Sequence, residues 1–187
     1  MEDKHIKKKV REGYAKIAKQ ETSCCGSIEV CCGKATSPEA ISKTIGYTDE
    51  QLCSVPEGAN LGLGCGNPTA LASLKPGETV LDLGSGAGFV CFLAANKVGP
   101  TGRVIGVDMT PKMVETALKN AAEGNYQNVE FKLGEIENLP IEDGTIDVII
   151  SNCVINLTPD KSVAYSEAFR VLKPGGRILV SDLVTDG

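Results

Sequence analysis

Two sets of residues in this chain are spaced for chemistry: a run of glycines following a carboxylate, and a group of cysteines. The first is Asp82-Leu83-Gly84-Ser85-Gly86-Ala87-Gly88, preceded by the apolar pair Val80-Leu81. An apolar strand that ends in a glycine turn lets a ligand approach the backbone, because no Cβ atoms stand in the way. Roughly 20 residues beyond the last glycine stands Asp108, at the end of a second apolar run, Val104-Ile105-Gly106-Val107. A carboxylate at that spacing can accept both hydroxyls of a ribose. The second set is eight cysteines, at 24, 25, 31, 32, 53, 65, 91 and 153, against a single histidine, His5. A histidine metal site and a Ser-His-Asp triad are therefore not expected. The chemistry must run on thiols, carboxylates, amides and a bound small molecule.

The elements that position these residues can be read from periodicity. Ile6, Val10, Tyr14 and Ile17 recur every three or four residues, which predicts an amphipathic helix over 3–20. The Lys7–Arg11 cluster reads as the solvated face of that helix. A Cys-rich, small-residue segment follows over 21–37. Ser37-Pro38 opens a short helix to about 44, with another near 48–53. Residues 54–67 read as a loop lying over something. From Gly77 the register becomes strand–helix alternation. Strands are expected at Thr79–Leu83, Arg103–Val107, Val129–Leu133, Ile146–Ser151 and Arg177–Val180, the last after a turn at Pro174-Gly175-Gly176. Helices are expected at Phe89–Val98, Pro111–Glu123 and Asp160–Leu172. Five such strands imply an α/β fold with a parallel sheet flanked by helices. The division expected is residues 1–73, a helical and Cys-rich extension covering the active site, and 74–187, the ligand-binding domain. The chain stops just after the fifth strand, so a piece of a longer, C-terminally truncated domain is expected.

The glycine turn separates two ligand classes. A dinucleotide fold wants Gly-x-Gly-x-x-Gly and places a pyrophosphate on the helix N-terminus. This chain has Gly-x-Gly-x-Gly, with Asp82 two residues before the first glycine. A carboxylate there repels a pyrophosphate and suits a cationic amino-acid ligand, which favours S-adenosylmethionine. On these residues, and on Gly134-Glu135-Ile136-Glu137-Asn138-Leu139-Pro140 and Val171-Leu172-Lys173-Pro174-Gly175-Gly176-Arg177, the chain resembles the Rossmann-like class I methyltransferases over residues 74–182. The resemblance implies that Asp82, Gly84 and Gly86 meet the methionine portion of the cofactor and Asp108 the ribose. It assigns Met109, Glu135 and Ile136 to the adenine. Ser85, Gly88 and Asn152 complete the expected cofactor set.

What departs from a generic methyltransferase points to the methyl acceptor. Ser151-Asn152-Cys153-Val154-Ile155-Asn156-Leu157 ends the fourth strand, on the side where parallel strands face a ligand. Leu63-Gly64-Cys65-Gly66-Asn67-Pro68 offers a second thiol on a loop. These segments, with the two Cys-Cys-Gly units upstream and Asp182-Leu183-Val184, resemble the arsenite methyltransferases. That resemblance implies that Cys65 and Cys153 bind As(III), a soft, thiophilic centre suited to thiolate ligands. A further cysteine, Cys32 as first choice, is expected to form a disulfide with an active-site thiol after turnover, and a thiol reductant (thioredoxin or glutathione) is implied as co-substrate. Alternatively, the Cys-Cys units capture or shuttle arsenic. Cys91 reads as a small core residue, and Cys53 is undecided. The family generally carries another functional cysteine after the sheet, and this chain ends before it. The alternative acceptor is a small organic molecule such as a quinone precursor.

Composition fits these readings. Of 187 residues, 42% are hydrophobic and 23% charged, as in ordinary globular domains. A net charge of −5 argues against a broad nucleic-acid surface. The absence of an apolar span of ~20 residues argues against a membrane segment. The charged start lacks the apolar core of a secretion signal, so reduced thiols and a cytoplasmic location are expected.

Overall fold

The computed structural model describes residues 2–17, 37–64, 66 and 73–182. The expectations for Cys24, Cys25, Cys31, Cys32, Cys65, Leu183 and Val184 lie outside the described residues.

Helix α1 spans Glu2–Ile17. Helix α2, Pro38–Thr44, is capped by Ser37, whose side chain accepts from the Ala40 N–H. Helix α3, Asp49–Cys53, opens with a reciprocal cap between Thr48 and Gln51. The alternating part then runs β1 (Thr79–Leu83), α4 (Phe89–Val98), β2 (Arg103–Asp108), α5 (Pro111–Glu123), β3 (Val129–Leu133), β4 (Ile146–Asn152), a 3₁₀ turn (Ile155–Leu157), α6 (Lys161–Val171) and β5 (Leu172–Ser181). All strand pairs are parallel, and the spatial order is β3-β2-β1-β4-β5.

Because helices cover both faces, the strands are apolar on both sides. Val80, Val104, Val148 and Ile150 pack with Phe92, Val98 and Ala117 from α4 and α5. Leu81, Leu83, Ile105, Val107 and Ile149 pack on the other face with Ala164, Ala168 and Val171 of α6 and with Ile136, Leu139 and Ile141. The strand order reverses between β1 and β4, and the crevice at their carboxyl ends is where an open sheet of this kind binds ligands.

Several boundaries differ from expectation, most by a residue, and two of the differences have a plain physical reason. Helix α6 begins at Lys161 because Asp160 caps it from outside, accepting from the N–H groups of Ser162 and Val163. Strand β5 begins at Leu172, not Arg177. Ile146 pairs with Leu172 and Val148 with Arg177, so the Pro174-Gly175-Gly176 stretch is an irregularity inside a continuing strand. Gly175, at φ +83°, takes up the bend.

Candidate functional site

The carboxyl ends of β1 and β4 open into one cleft. Its walls come from the glycine turn, the end of β2, the Gly134–Glu137 segment, the loop at 59–64 and helix α1.

The turn is built for close approach. The N–H groups of Gly84 and Ser85 both donate to the Val107 carbonyl, at 2.8 and 3.1 Å, which fastens the turn to β2. Gly86 adopts φ +53°, and a Cβ placed there would meet nothing within 4 Å, so the space over it is open to a ligand. Gly88 is different. A Cβ there would come within 2.8 Å of Phe92 and Phe131, so this glycine serves packing beneath the turn.

Two acids close the base. Asp82 is 3% exposed, and its Oδ2 accepts from the Cys91 thiol at 3.3 Å. Burial pushes its carboxyl up to about 7, against the Cys91 hydrogen bond and with some help from Asp108. Asp108 accepts from the Gly86 N–H at 2.9 Å and the Thr110 N–H at 2.8 Å. Burial raises its carboxyl while these two N–H groups hold it down. Each oxygen keeps a lone pair for a ligand hydroxyl.

The rim is unusual for its unsatisfied polar atoms. Tyr47 Oη, Asn60 Nδ2, Ser85 Oγ and Thr158 Oγ1 are all buried without a hydrogen-bond partner of good geometry, and all four residues line the cleft. Buried polar groups left unpaired are costly, so such a cluster marks a site that a polar ligand completes. Asn60 is held by its Oδ1, which accepts from Ser42 Oγ and the Gly62 N–H.

Helix α1 forms the outer wall through Lys7, Val10 and Tyr14. Lys7 Nζ lies 2.6 Å from Glu135 and 3.0 Å from Glu137, and Arg11 lies 3.1 Å from Glu135. The expectation of a wholly solvated basic face is thus corrected. Lys8 and Lys9 are exposed, but Lys7 and Arg11 turn inward because the acidic 135–137 segment faces them. Glu135 is held below the usual carboxylate range by Lys7 and Arg11.

At the end of β4, Cys153 lines the cleft in a left-handed backbone conformation, φ +56°, with its N–H donating to the Ser181 carbonyl at 2.8 Å. Positive φ is uncommon for a residue with a side chain and is a form of strain that gathers at functional sites. Cys153 is disulfide-bonded, and neither of the other described cysteines is its partner, since Cys53 and Cys91 are free. Asn152 Nδ2 donates to the Gly66 carbonyl at 3.0 Å, which joins the β4 end to the loop that carries position 65.

Asp82, Gly84, Ser85, Gly86, Asp108, Met109, Ile136, Asn152 and Cys153 therefore meet in one cleft, while Gly88 and Glu135 are not among its lining residues. Cys91, expected as core filler, is indeed fully buried but also grips Asp82. Sequence reasoning missed Tyr47, Asn60 and Thr158, which lie outside the recognisable motifs and reach the cleft only through folding. No group of three or more His, Cys, Asp or Glu among the described residues could hold a metal ion.

The methyltransferase-domain family model matches residues 74–187. Among curated proteins, an arsenite methyltransferase of Halobacterium salinarum is 53% identical over 94% of this chain and 46% of its own length. One from Aquipseudomonas alcaligenes is 37% identical over 95% of the chain and 50% of its own. The crystal structure of an arsenic(III) S-adenosylmethionine methyltransferase from Chlamydomonas reinhardtii superposes with a TM-score of 0.60 and 40% identity, covering 76% of this chain and 48% of that one. The chain spans about half the length of these curated relatives.

Proposed function

Because the chain belongs to the methyltransferase-domain family, we propose that it is the methyl-donor-binding part of an S-adenosylmethionine-dependent arsenite methyltransferase. The residues present fit the donor. Asp82 offers a carboxylate for its ammonium, the open space over Gly86 admits it, and Asp108 ends β2 with lone pairs for ribose hydroxyls. Gly84 and Ser85 complete the methionine end, with Asn152 beside them. Met109 and Ile136 take the adenine, and Glu135, assigned to the adenine by the family resemblance, lies behind this wall with its carboxylate held by Lys7 and Arg11. Gly88 belongs to this set by supporting the turn. When bound, S-adenosylmethionine supplies a methyl group activated by its sulfonium.

The acceptor on this reading is As(III) held by the thiolates of Cys65 and Cys153. The observation that carries it is the Asn152–Gly66 hydrogen bond, which brings the backbone beside position 65 to the strand end that presents Cys153. Thiolates are natural ligands for a soft centre. The arsenic lone pair is itself the nucleophile, so no proton has to be removed and no general base is needed. The protein's part is alignment of the reacting atoms. A disulfide-bonded Cys153 cannot bind arsenic, so a thiol reductant, thioredoxin or glutathione, is part of the proposal, with Cys32 as the resolving thiol. The reductant is oxidised to a disulfide as the Cys153 disulfide is returned to two thiols.

The division into a covering segment, 1–73, and a donor-binding domain, 74–187, belongs to the same reading, as does a cytoplasmic location. No helix among the described residues is long and apolar enough to cross a membrane. A small organic acceptor is the weaker alternative. Likeness to the demethylmenaquinone methyltransferase of Lactococcus lactis covers 55% of this chain, whereas the arsenite methyltransferases of Halobacterium salinarum and Aquipseudomonas alcaligenes match 94% and 95% of it.

The test is methyl transfer to arsenite by the whole protein, with a thiol reductant present. Cys65→Ser and Cys153→Ser should each abolish turnover and leave donor affinity within about threefold. Full activity in both variants would refute the arsenic assignment and leave the methyl-donor assignment standing.

A further inference from the structure

Resting on the methyl-donor reading above, we propose that Tyr47 is a donor-binding residue, whose phenol gives a hydrogen bond to the α-carboxylate of the donor's amino-acid end. Tyr47 lies in the short link between α2 and α3 and belongs to none of the motifs in the sequence. Its ring is 4% exposed and meets the edge of Phe89 with 4.9 Å between centroids. A phenylalanine would make the same packing contact, so packing does not account for the hydroxyl. The hydroxyl is buried at the cleft without a hydrogen-bond partner of good geometry.

Its neighbours indicate what the hydroxyl serves. The Asn152 side chain stands near the phenol and favours its ionised form, while its amide nitrogen donates to the Gly66 carbonyl at 3.0 Å, and no acceptor takes the phenol proton. Burial and the nearby Asp82 hold the phenol well above its ordinary range, so it remains a proton donor throughout the working pH range. Asp82 is the acid suited to the donor's ammonium. In an α-amino acid the ammonium and the carboxylate are attached to one carbon, so a group beside the ammonium's acceptor is placed to meet the carboxylate. Asp82 and Tyr47 thus form a complementary pair, an acceptor and a donor, that reads both charges of the amino-acid end. A hydrogen bond to a charged group in such a site is among the stronger kind.

The experiment compares wild type and Tyr47→Phe by titration calorimetry with four ligands. S-Adenosylmethionine and S-adenosylhomocysteine carry the carboxylate. Decarboxylated S-adenosylmethionine and 5′-methylthioadenosine do not. Tyr47→Phe should weaken the first two by about tenfold or more and the last two by less than about twofold. The ligand-free variant should melt at the same temperature as wild type or higher, because an unpaired buried hydroxyl has been removed. Equal weakening of all four ligands would reduce Tyr47 to a structural role, and no weakening of any would remove it from the site. Either result overturns this inference alone. Failure of the wild type to bind S-adenosylmethionine or S-adenosylhomocysteine would overturn the donor reading and this inference with it.

Discussion

The thiol of Cys91 donates to Oδ2 of Asp82 across 3.3 Å, and the cysteine is fully buried while the acid lines the cleft. A side chain one turn into α4 thereby orients the carboxylate at the end of β1. Since the bond favours the ionised acid, its loss should make Asp82 harder to ionise. Cys91→Ser should bind S-adenosylmethionine within about threefold of wild type. Cys91→Val should shift the pH midpoint of donor binding upward by roughly half a unit or more. Binding isotherms between pH 6 and 8.5 check this.

Asp82 itself sets the direction of the pH dependence. Its carboxyl is pushed up to about 7 in the fold, from an ordinary value of 3.8. Between those values the ligand-free fold keeps a proton that the unfolded chain has released. The stability this group contributes is full below the lower value and is lost as pH rises through the upper one, on the order of 1 kcal/mol per pH unit. An ammonium ligand needs the ionised acid, so donor affinity should climb with pH to about 7 and then level, falling by up to roughly tenfold per unit below it. Asp82→Asn should raise the melting temperature of the ligand-free protein at pH 8 and weaken donor binding by about 100-fold or more. A variant whose stability at pH 8 fell below wild type would contradict the assignment.

The last two glycines of the turn, Gly86 and Gly88, should fail in opposite ways. Gly86→Ala faces open space and bears only the strain of φ +53°, about 1 kcal/mol, but its methyl would occupy the ligand's approach. It should fold and lose donor binding. Gly88→Ala meets Phe92 and Phe131 at 2.8 Å with φ +95° and should be destabilised by about 2 kcal/mol or more. Thermal melts paired with titrations separate the two.

Helix α1 should control how fast the donor leaves. Lys7→Ala and Arg11→Ala remove its grip on Glu135 and Glu137. Partly exposed ion pairs are each worth up to about 1 kcal/mol, so the double variant should release the donor several times faster. Added salt should speed wild-type release and have less effect on the variant. Stopped-flow displacement provides the measurement.

The sheet and the glycine turn were legible in the sequence because their signals are local. Val80-Leu81 followed by Asp82 and three glycines, and Ile146–Ile150, announce strand ends without help from elsewhere. Lys7 and Arg11 misled because a basic run on a helix looks the same whether it meets water or, as here, the acids at 135 and 137. Cys91 looked like filler because the packing that buries it also gives it Asp82 as an acceptor, nine residues back across the turn. Tyr47 and Asn60 had no signal at all: both sit in connections whose paths are fixed by what they fold against. Strand β5 was read short because Pro174-Gly175-Gly176 has the composition of a turn, and only pairing with β4 reveals that the strand continues through it.

The cleft's outer wall is tied to the segment after β3 by the charged tips of Lys7 and Arg11, and α1 also rests against α5. None of these ties takes part in the pairing of the five strands. Ligand exchange and thermal robustness should therefore answer to different substitutions: those at Lys7 and Arg11 to the first, those in the strands to the second.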